Sequence, residues 1–320
     1  MDEYNSILIG VSIIIIIILI HEIIIHIQTV EIDDVYEPEI IATNNIIPNI
    51  IPNIIHRTWY SKSLSKKMYD LAYFSWIRLN PTYKMVWDSD SDCEEFMKNF
   101  DKSDKFPSTE HSSFGNEEYI AWKRIIPSAY KADLWRLCQL YESGGVYVDS
   151  YAVAVKSIDE IIEKSGLKEE KDIFISVLDC EQSSSGIHNG FIICTPKHPI
   201  VKQCINDILE NVKIGKEDQI MALTGPICLS RSINRYLERD INTKHQVGLN
   251  VVDNKKYYLL QFHFGLPGNI TINDEIMLYK KYDIIDCWLY QKIYKGLISS
   301  TQSYSSMNSA GTVVRDIDKI

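Results

Sequence analysis

Tyr130-Lys131-Ala132-Asp133-Leu134-Trp135-Arg136, followed by Leu140-Tyr141, Gly144-Gly145 and Val146-Tyr147-Val148-Asp149, is the stretch on which the reading of the fold turns. Ser128 to Glu142 has helical spacing, with Ser128 as the expected N-cap and Gly144-Gly145 as the terminator. At 100° per residue, Leu134, Leu137, Cys138 and Tyr141 form one apolar stripe. Asp133 and Arg136 share the adjoining face with Leu140, where they either point into a common cleft or pair with each other along the helix. A strand, Val146 to Asp149, follows at once. Its alternation sends Val146 and Val148 one way and Tyr147 and Asp149 the other, so a carboxylate stands where the strand ends.

The same alternation of element types extends outward. Ile54-Ile55-His56, Tyr83 to Trp87, Asp172 to Leu178, Gly190 to Cys194 and the region Val251 to Phe264 read as strands. Tyr69 to Leu79, Asp92 to Asn99, His198 to Val212 and Asp218 to Glu238 read as helices, the last split by Gly225-Pro226. Strands interleaved with helices predict an α/β fold with a mostly parallel central sheet. In such sheets ligands lie beyond the carboxyl ends of the strands, where Asp149 is expected.

The N-terminal part is different in kind. Residues 7–27 are almost all isoleucine, uncharged as far as Ile20 and long enough as a helix to cross a bilayer core of about 30 Å. With Asp2 and Glu3 in front and no small-residue cleavage pattern behind, this segment reads as one retained transmembrane helix rather than a signal peptide. A buried β-branched core segment is the other reading. The expected organisation is a short N-terminal flank (1–6), a transmembrane anchor (7–27), a stem (28–47), a single domain (48–298) and a polar, disordered tail (299–320). Of 320 residues, 43 are acidic and 33 basic, which argues against a nucleic-acid partner. Seven scattered cysteines without a C-x-x-C pair indicate neither a zinc site nor a dense disulfide framework.

Several motifs, taken in order, resemble glycosyltransferase family 32, the DXD-type sugar transferases that include initiating α-1,6-mannosyltransferases and sphingolipid mannosyltransferases. Ile51-Pro52-Asn53-Ile54-Ile55-His56-Arg57-Thr58-Trp59 is similar to the start of that family's domain. Asn80-Pro81-Thr82-Tyr83 with Trp87-Asp88, the central block quoted above, Asn189-Gly190-Phe191, His198-Pro199 and Thr224-Gly225-Pro226 follow in the family's order. The resemblance covers about residues 48 to 230. It implies a GT-A-like nucleotide-sugar-binding fold. The activity it implies is that of a retaining hexosyltransferase using a UDP- or GDP-sugar as donor and a glycan or glycolipid as acceptor. The anchor then implies a single-pass protein of a Golgi- or ER-type membrane, in a eukaryotic cell or a virus-infected host.

By the same resemblance, Asp133, Arg136 and Asp149 are the catalytic candidates. Asp133 and Arg136 would hold the donor sugar and diphosphate, and Asp149 the ribose and the metal. Trp59 would stack on the base, for which an indole face is suited, although a core tryptophan fits the same pattern. Asn189 would contact donor sugar or acceptor, or mark a plain turn. His56 joins the nucleotide-binding candidates, although packing or hydrogen bonding suits it better. His263, in Gln261-Phe262-His263-Phe264, is a candidate metal ligand or a structural histidine.

One departure matters. The family motif is Asp-x-Asp, whereas this chain reads Asp149-Ser150-Tyr151. The motif's cofactor is Mn²⁺ or Mg²⁺, and a neutral phenol is a poor ligand for either. Three outcomes are open. The metal is held by Asp149, the phosphates and His263 or Asp253; the enzyme works without metal, using Lys or Arg; or the domain binds nucleotide sugars or glycans without turnover. A membrane-tethered interaction protein with no nucleotide site is the remaining alternative.

Overall fold

All eight residues of the strand Ile187–Cys194 (β9) are buried, and this strand runs through the centre of the sheet. The computed structural model describes residues 10–21, 29–31, 35–36, 50–66, 68–100, 116–179, 186–215, 220–264, 268–280 and 314. In chain order the other strands are β1 (Thr29–Glu31), β2 (Val35–Tyr36), β3 (Ile54–Thr58), β4 (Ser63–Ser65), β5 (Lys84–Asp88), β6 (Gly145–Val148), β7 (Val153–Ala154), β8 (Phe174–Leu178), β10 (Gly248–Val252), β11 (Lys255–His263), β12 (Asn269–Ile272) and β13 (Glu275–Tyr279). The main sheet has the order β2-β5-β3-β6-β9-β8-β11-β12-β13-β7, with β10 paired to β11; β1 and β4 form a separate pair.

The sheet is mixed, which corrects the expectation of a mostly parallel one. Strands β5, β3, β6, β8 and β11 run the same way, but β9 lies antiparallel between β6 and β8. The cause is connection length. A short segment joins β8 to β9, and a chain that turns back within a few residues pairs antiparallel. The Val251 to Phe264 region likewise folds into a hairpin. Asp253 and Asn254 take positive φ (46° and 65°) in the two-residue turn between β10 and β11, and Asn273-Asp274 repeats this between β12 and β13. Two left-handed residues in succession give a turn whose twist matches that of the flanking strands.

Residues 10–21 form a helix, α1. The remaining helices are α2 (Phe74–Leu79, continuing a π-helical turn at Met68–Tyr73), α3 (Asp90–Asn99), α4 (Glu117–Arg124), α5 (Ser128–Ser143), α6 (Ile158–Ser165), α7 (Pro199–Lys213), α8 (Ile220–Leu223) and α9 (Pro226–Tyr236). On one face of the sheet α4, α5, α7 and α9 bury a cluster that includes Leu134, Trp135, Tyr147, Ile192 and Ile205. The opposite face carries α2, α6 and a second cluster with Ile55, Trp76, Val146, Val148 and Phe191. Val146 and Val148 therefore face away from Tyr147, as the alternation requires.

Local sequence explains the helix ends. Ser89 and Asp92 form a capping box on α3, and Ser157 caps α6 by accepting from the Glu160 amide at 3.2 Å. Pro127, not Ser128, is the N-cap of α5, and Ser128 is the first helical residue. Gly144 and Gly145 reverse the chain with φ of 64° and 94°, and a Cβ on Gly145 would stand 2.6 Å from the Ile54 carbonyl oxygen. Only glycine lets α5 pass directly into β6 beside β3.

Large apolar side chains of α1, from Ile13 to Ile20, are exposed. Among the described residues no helix is long and apolar enough to cross a membrane, and the rest of the expected anchor at 7–27 lies outside them. Strands β1 and β2 fall within the stretch read as a stem. Of the tail, only Val314 is described; it is buried and bridges Ile125. The described cysteines, Cys93, Cys138, Cys194, Cys204 and Cys228, are free and buried.

Burial holds four histidines neutral. His56, His198 and His245 are each pushed down to about 4, and His188 to about 3, from an ordinary 6.5. Each takes up a proton on unfolding once the pH is below 6.5, so the fold keeps its stability above that value and loses it as the pH falls toward 4. The thermal midpoint is expected to be flat from pH 8 to 7 and to drop steeply between pH 6.5 and 4.5. A midpoint unchanged down to pH 4.5 contradicts this.

Candidate functional site

The carboxyl end of β6 is where the chemistry-bearing side chains meet. Asp149 leaves the strand with its amide donating to the Gly190 carbonyl at 2.8 Å, and its side chain is 37% exposed. Its Oδ1 accepts from the Tyr147 hydroxyl at 3.0 Å and from Arg136 Nη1 at 3.3 Å. Arg136 is 7% exposed at its side chain and lies over the Tyr147 ring, with Cζ 4.3 Å from the centroid. The same Nη1 donates to the Asn189 carbonyl at 2.7 Å, while Nη2 meets Asp133 Oδ1 at 3.2 Å.

Asp133 anchors this network from inside. It is completely buried; its Oδ1 also accepts from Asn189 Nδ2 at 2.9 Å, and its Oδ2 from the Thr224 hydroxyl at 2.8 Å. A buried carboxylate needs that many partners, because the cost of losing water is large unless every lone pair is engaged. Burial and the neighbouring carboxylates raise the Tyr147 hydroxyl well above its ordinary range, although Arg136 opposes them, so it stays a proton donor toward Asp149.

Asn189 reaches Asp133 because β9 is irregular there. Its ladder with β8 shifts register between Ile175 and Val177, so that Ile175 pairs with Ile193 but Val177 with His188. Ser176 fills the gap by donating to the carbonyls of His188 and Phe191. Such a shift re-aims side chains, and here Asn189 turns to α5 while His188 meets Phe262 (ring centroids 6.0 Å). Gly190 between them is packed tightly. A Cβ at that position would stand 2.3 Å from Asp149 Oδ2 and 2.4 Å from His188 Cε1.

The loop after Asp149 is held from the other face by Arg57, which sequence reasoning overlooked. Arg57 is fully buried and donates to the carbonyls of Ala72 (3.0 Å), Asp149 (2.9 Å), Ser150 (2.7 Å) and Ala152 (3.3 Å). Trp76 Nε1 adds a second donor to Ala152 at 2.9 Å, and the Ser150 hydroxyl donates to the Thr58 carbonyl. Burial brings the guanidinium down to about 9, and it remains charged at neutral pH.

The remaining candidates divide. Trp59, at the end of β3, meets the Tyr151 ring edge-on at 4.9 Å, so it borders the Asp149 loop. His56 lies elsewhere: its Nε2 is 3.1 Å from both the Gly144 carbonyl and the Ser143 hydroxyl, at the C-terminal end of α5. His263 pairs its Nε2 with the Thr271 hydroxyl at 2.9 Å, across the ladder to β12. A cavity of about 380 Å³ opens between α3 and α5, lined by Thr58, Asp90, Glu94, Lys131, Ala132 and Trp135 among others. That is within the range of small-ligand sites.

The residues present do not fit the divalent cation that an Asp-x-Asp motif implies. Asp149 has one oxygen engaged by Tyr147 and Arg136, Tyr151 packs against Trp59, and His263 is bonded to Thr271. Asp253 sits in the β10–β11 turn, at the opposite edge of the sheet from Asp149. Among the described residues no three His, Cys, Asp or Glu side chains converge. Hard cations of this kind require several oxygen ligands.

Gly190→Ala tests the arrangement. The added methyl must displace the Asp149 carboxylate or the His188 ring, so the variant is expected to fold and to lose about tenfold or more in affinity for whatever ligand Asp149 contacts. Unchanged ligand affinity contradicts the placement of Asp149.

Residues 66–168 match the family described as a glycosyltransferase sugar-binding region containing a DXD motif. This covers about a third of the chain and includes α5, β6 and the Asp149 loop. Among solved structures, the chain is similar to one titled PaToxG glycosyltransferase, at 21% identity and a TM-score of 0.43, over 59% of this chain and 70% of that one. It is also similar to the UDP-bound glycosyltransferase domain of the YGT toxin, at 12% identity and a TM-score of 0.32, over 60% and 69%. No curated protein matches. The chain thus carries a glycosyltransferase-type sugar-binding region on a mixed α/β sheet.

Proposed function

We propose that this protein is a retaining hexosyltransferase that takes its donor from a UDP- or GDP-sugar and transfers to a glycan or glycolipid. The observation that carries the reading is the buried Asp133–Arg136–Asn189 network presenting an accessible Asp149 carboxylate at the carboxyl end of β6. Asp149 holds the ribose, Trp59 lies against the base, and the cavity beside Thr58 gives the nucleoside room. Asp133 has both oxygens engaged by protein and acts through Asn189 and Arg136 as a positioning residue.

In the transfer, the bond from the anomeric carbon to the diphosphate oxygen breaks and a bond to the acceptor hydroxyl oxygen forms on the same face. The hydroxyl proton passes to the departing diphosphate, so no protein base is required. A divalent cation is not part of this reading, because the described side chains do not seat one. The isoleucine-rich segment at 7–27 would hold the enzyme on a Golgi- or ER-type membrane and present it to membrane-bound acceptors.

A second reading is favoured by Tyr151, which occupies the position of the motif's second carboxylate: a domain that binds nucleotide sugars without turning them over. A panel of UDP- and GDP-sugars separates the two. The transferase reading predicts donor hydrolysis or transfer for at least one sugar, falling about a hundredfold or more in Asp149→Asn. Binding without turnover of any donor supports the second reading instead.

A further inference from the structure

The strand register brings a lysine to the Asp149 loop. After the loop the chain enters β7, which pairs antiparallel with β13 so that Ala154 faces Leu278 and Val153 faces Tyr279. One step further along that register, Lys280 comes opposite Ala152, three residues from Asp149 and one from Tyr151. Lys280 is tied there by its own backbone, whose amide donates to the Gly268 carbonyl at 2.8 Å. Its Nζ stands over the Phe262 ring at 4.8 Å. The same ring meets His188, which with the Asp149 carboxylate flanks Gly190. Lys280, Phe262, His188, Gly190 and Asp149 therefore border one space at the carboxyl edge of the sheet, and both Lys280 and Asp149 act electrostatically on His188.

We propose that Lys280 supplies the positive charge that a divalent cation supplies in transferases with a complete Asp-x-Asp motif, its ammonium meeting the diphosphate held in front of Asp149. This rests on the nucleotide-sugar reading above and specifies how that site handles charge. A cation serves two ends there: it offsets the charge of the bound diphosphate and the further charge that develops as the bond to the sugar breaks. An ammonium on a flexible stem does both without needing further carboxylates, and it makes the second motif carboxylate dispensable. That accounts for Tyr151, whose ring is instead packed against Trp59. His188 accepts from the Gly190 amide at Nδ1, at 3.0 Å, which puts its proton on Nε2 as a neutral donor between the two charges.

The test is titration of the full chain with UDP, GDP, uridine and guanosine, in excess EDTA and in excess Mn²⁺. Diphosphate affinity is expected to agree within about threefold between the two buffers. Lys280→Met should lower it by about tenfold or more while leaving nucleoside affinity unchanged, and Lys280→Arg should retain it. Lys280→Gln serves alongside Met as a second neutral variant. Diphosphate binding that collapses in EDTA overturns this inference alone, as does a Lys280→Met variant that binds like the parent or loses nucleosides equally. A chain that binds no nucleotide in either buffer overturns the transferase reading and this inference with it.

Discussion

Arg57 gives its guanidinium to four main-chain carbonyl oxygens, and three of them, from Asp149, Ser150 and Ala152, belong to the loop that carries the candidate site. A buried cation without a carboxylate beside it is tolerated only where several dipoles point at it, and the end of β6 supplies them. The loop consequently has one conformation available, with Asp149 turned toward Arg136 on one face and Ala152 leading into β7 on the other. Strand β7 then closes against β13, which delivers Lys280 beside the same loop. Remove the clamp, and neither the carboxylate nor the lysine has a defined place.

Charge in the site is arranged in two shells that answer to different demands. The inner one, Asp133 with Arg136, Asn189 and Thr224, is dry and fully hydrogen-bonded, so its worth lies in fixing geometry rather than in net electrostatic stabilisation. The outer one, Asp149 with His188 and Lys280, is open enough to meet a ligand. Gly190 separates the two shells at a distance that no side chain would permit.

Much of this was legible in the chain itself, and the limits have physical causes. The passage from α5 to β6 announced itself, because a helical stripe, two glycines and a two-residue alternation can be satisfied together in only one way. Asp133 and Arg136 shared a face for the same reason. The direction of β9 was hidden, since apolar runs look alike in parallel and antiparallel pairing, and its register shift at Asn189 leaves no periodic trace. Arg57 was hidden because its partners are main-chain oxygens, which carry no residue code. Lys280 was invisible for a third reason: only the closure of β7 on β13 brings it near Asp149, across more than a hundred residues of chain. His56 and His263 were named on motif position, and their neighbours show hydrogen bonds that serve the fold.

The central claim is that a nucleoside diphosphate binds at the carboxyl end of β6. Hydrogen–deuterium exchange on the full chain, with and without saturating UDP or GDP, tests it most directly. The account predicts added protection in residues 145–152 and 186–191, and in the 277–280 segment, with β10 and α9 unaffected. Protection elsewhere with none in the Asp149 loop would contradict it.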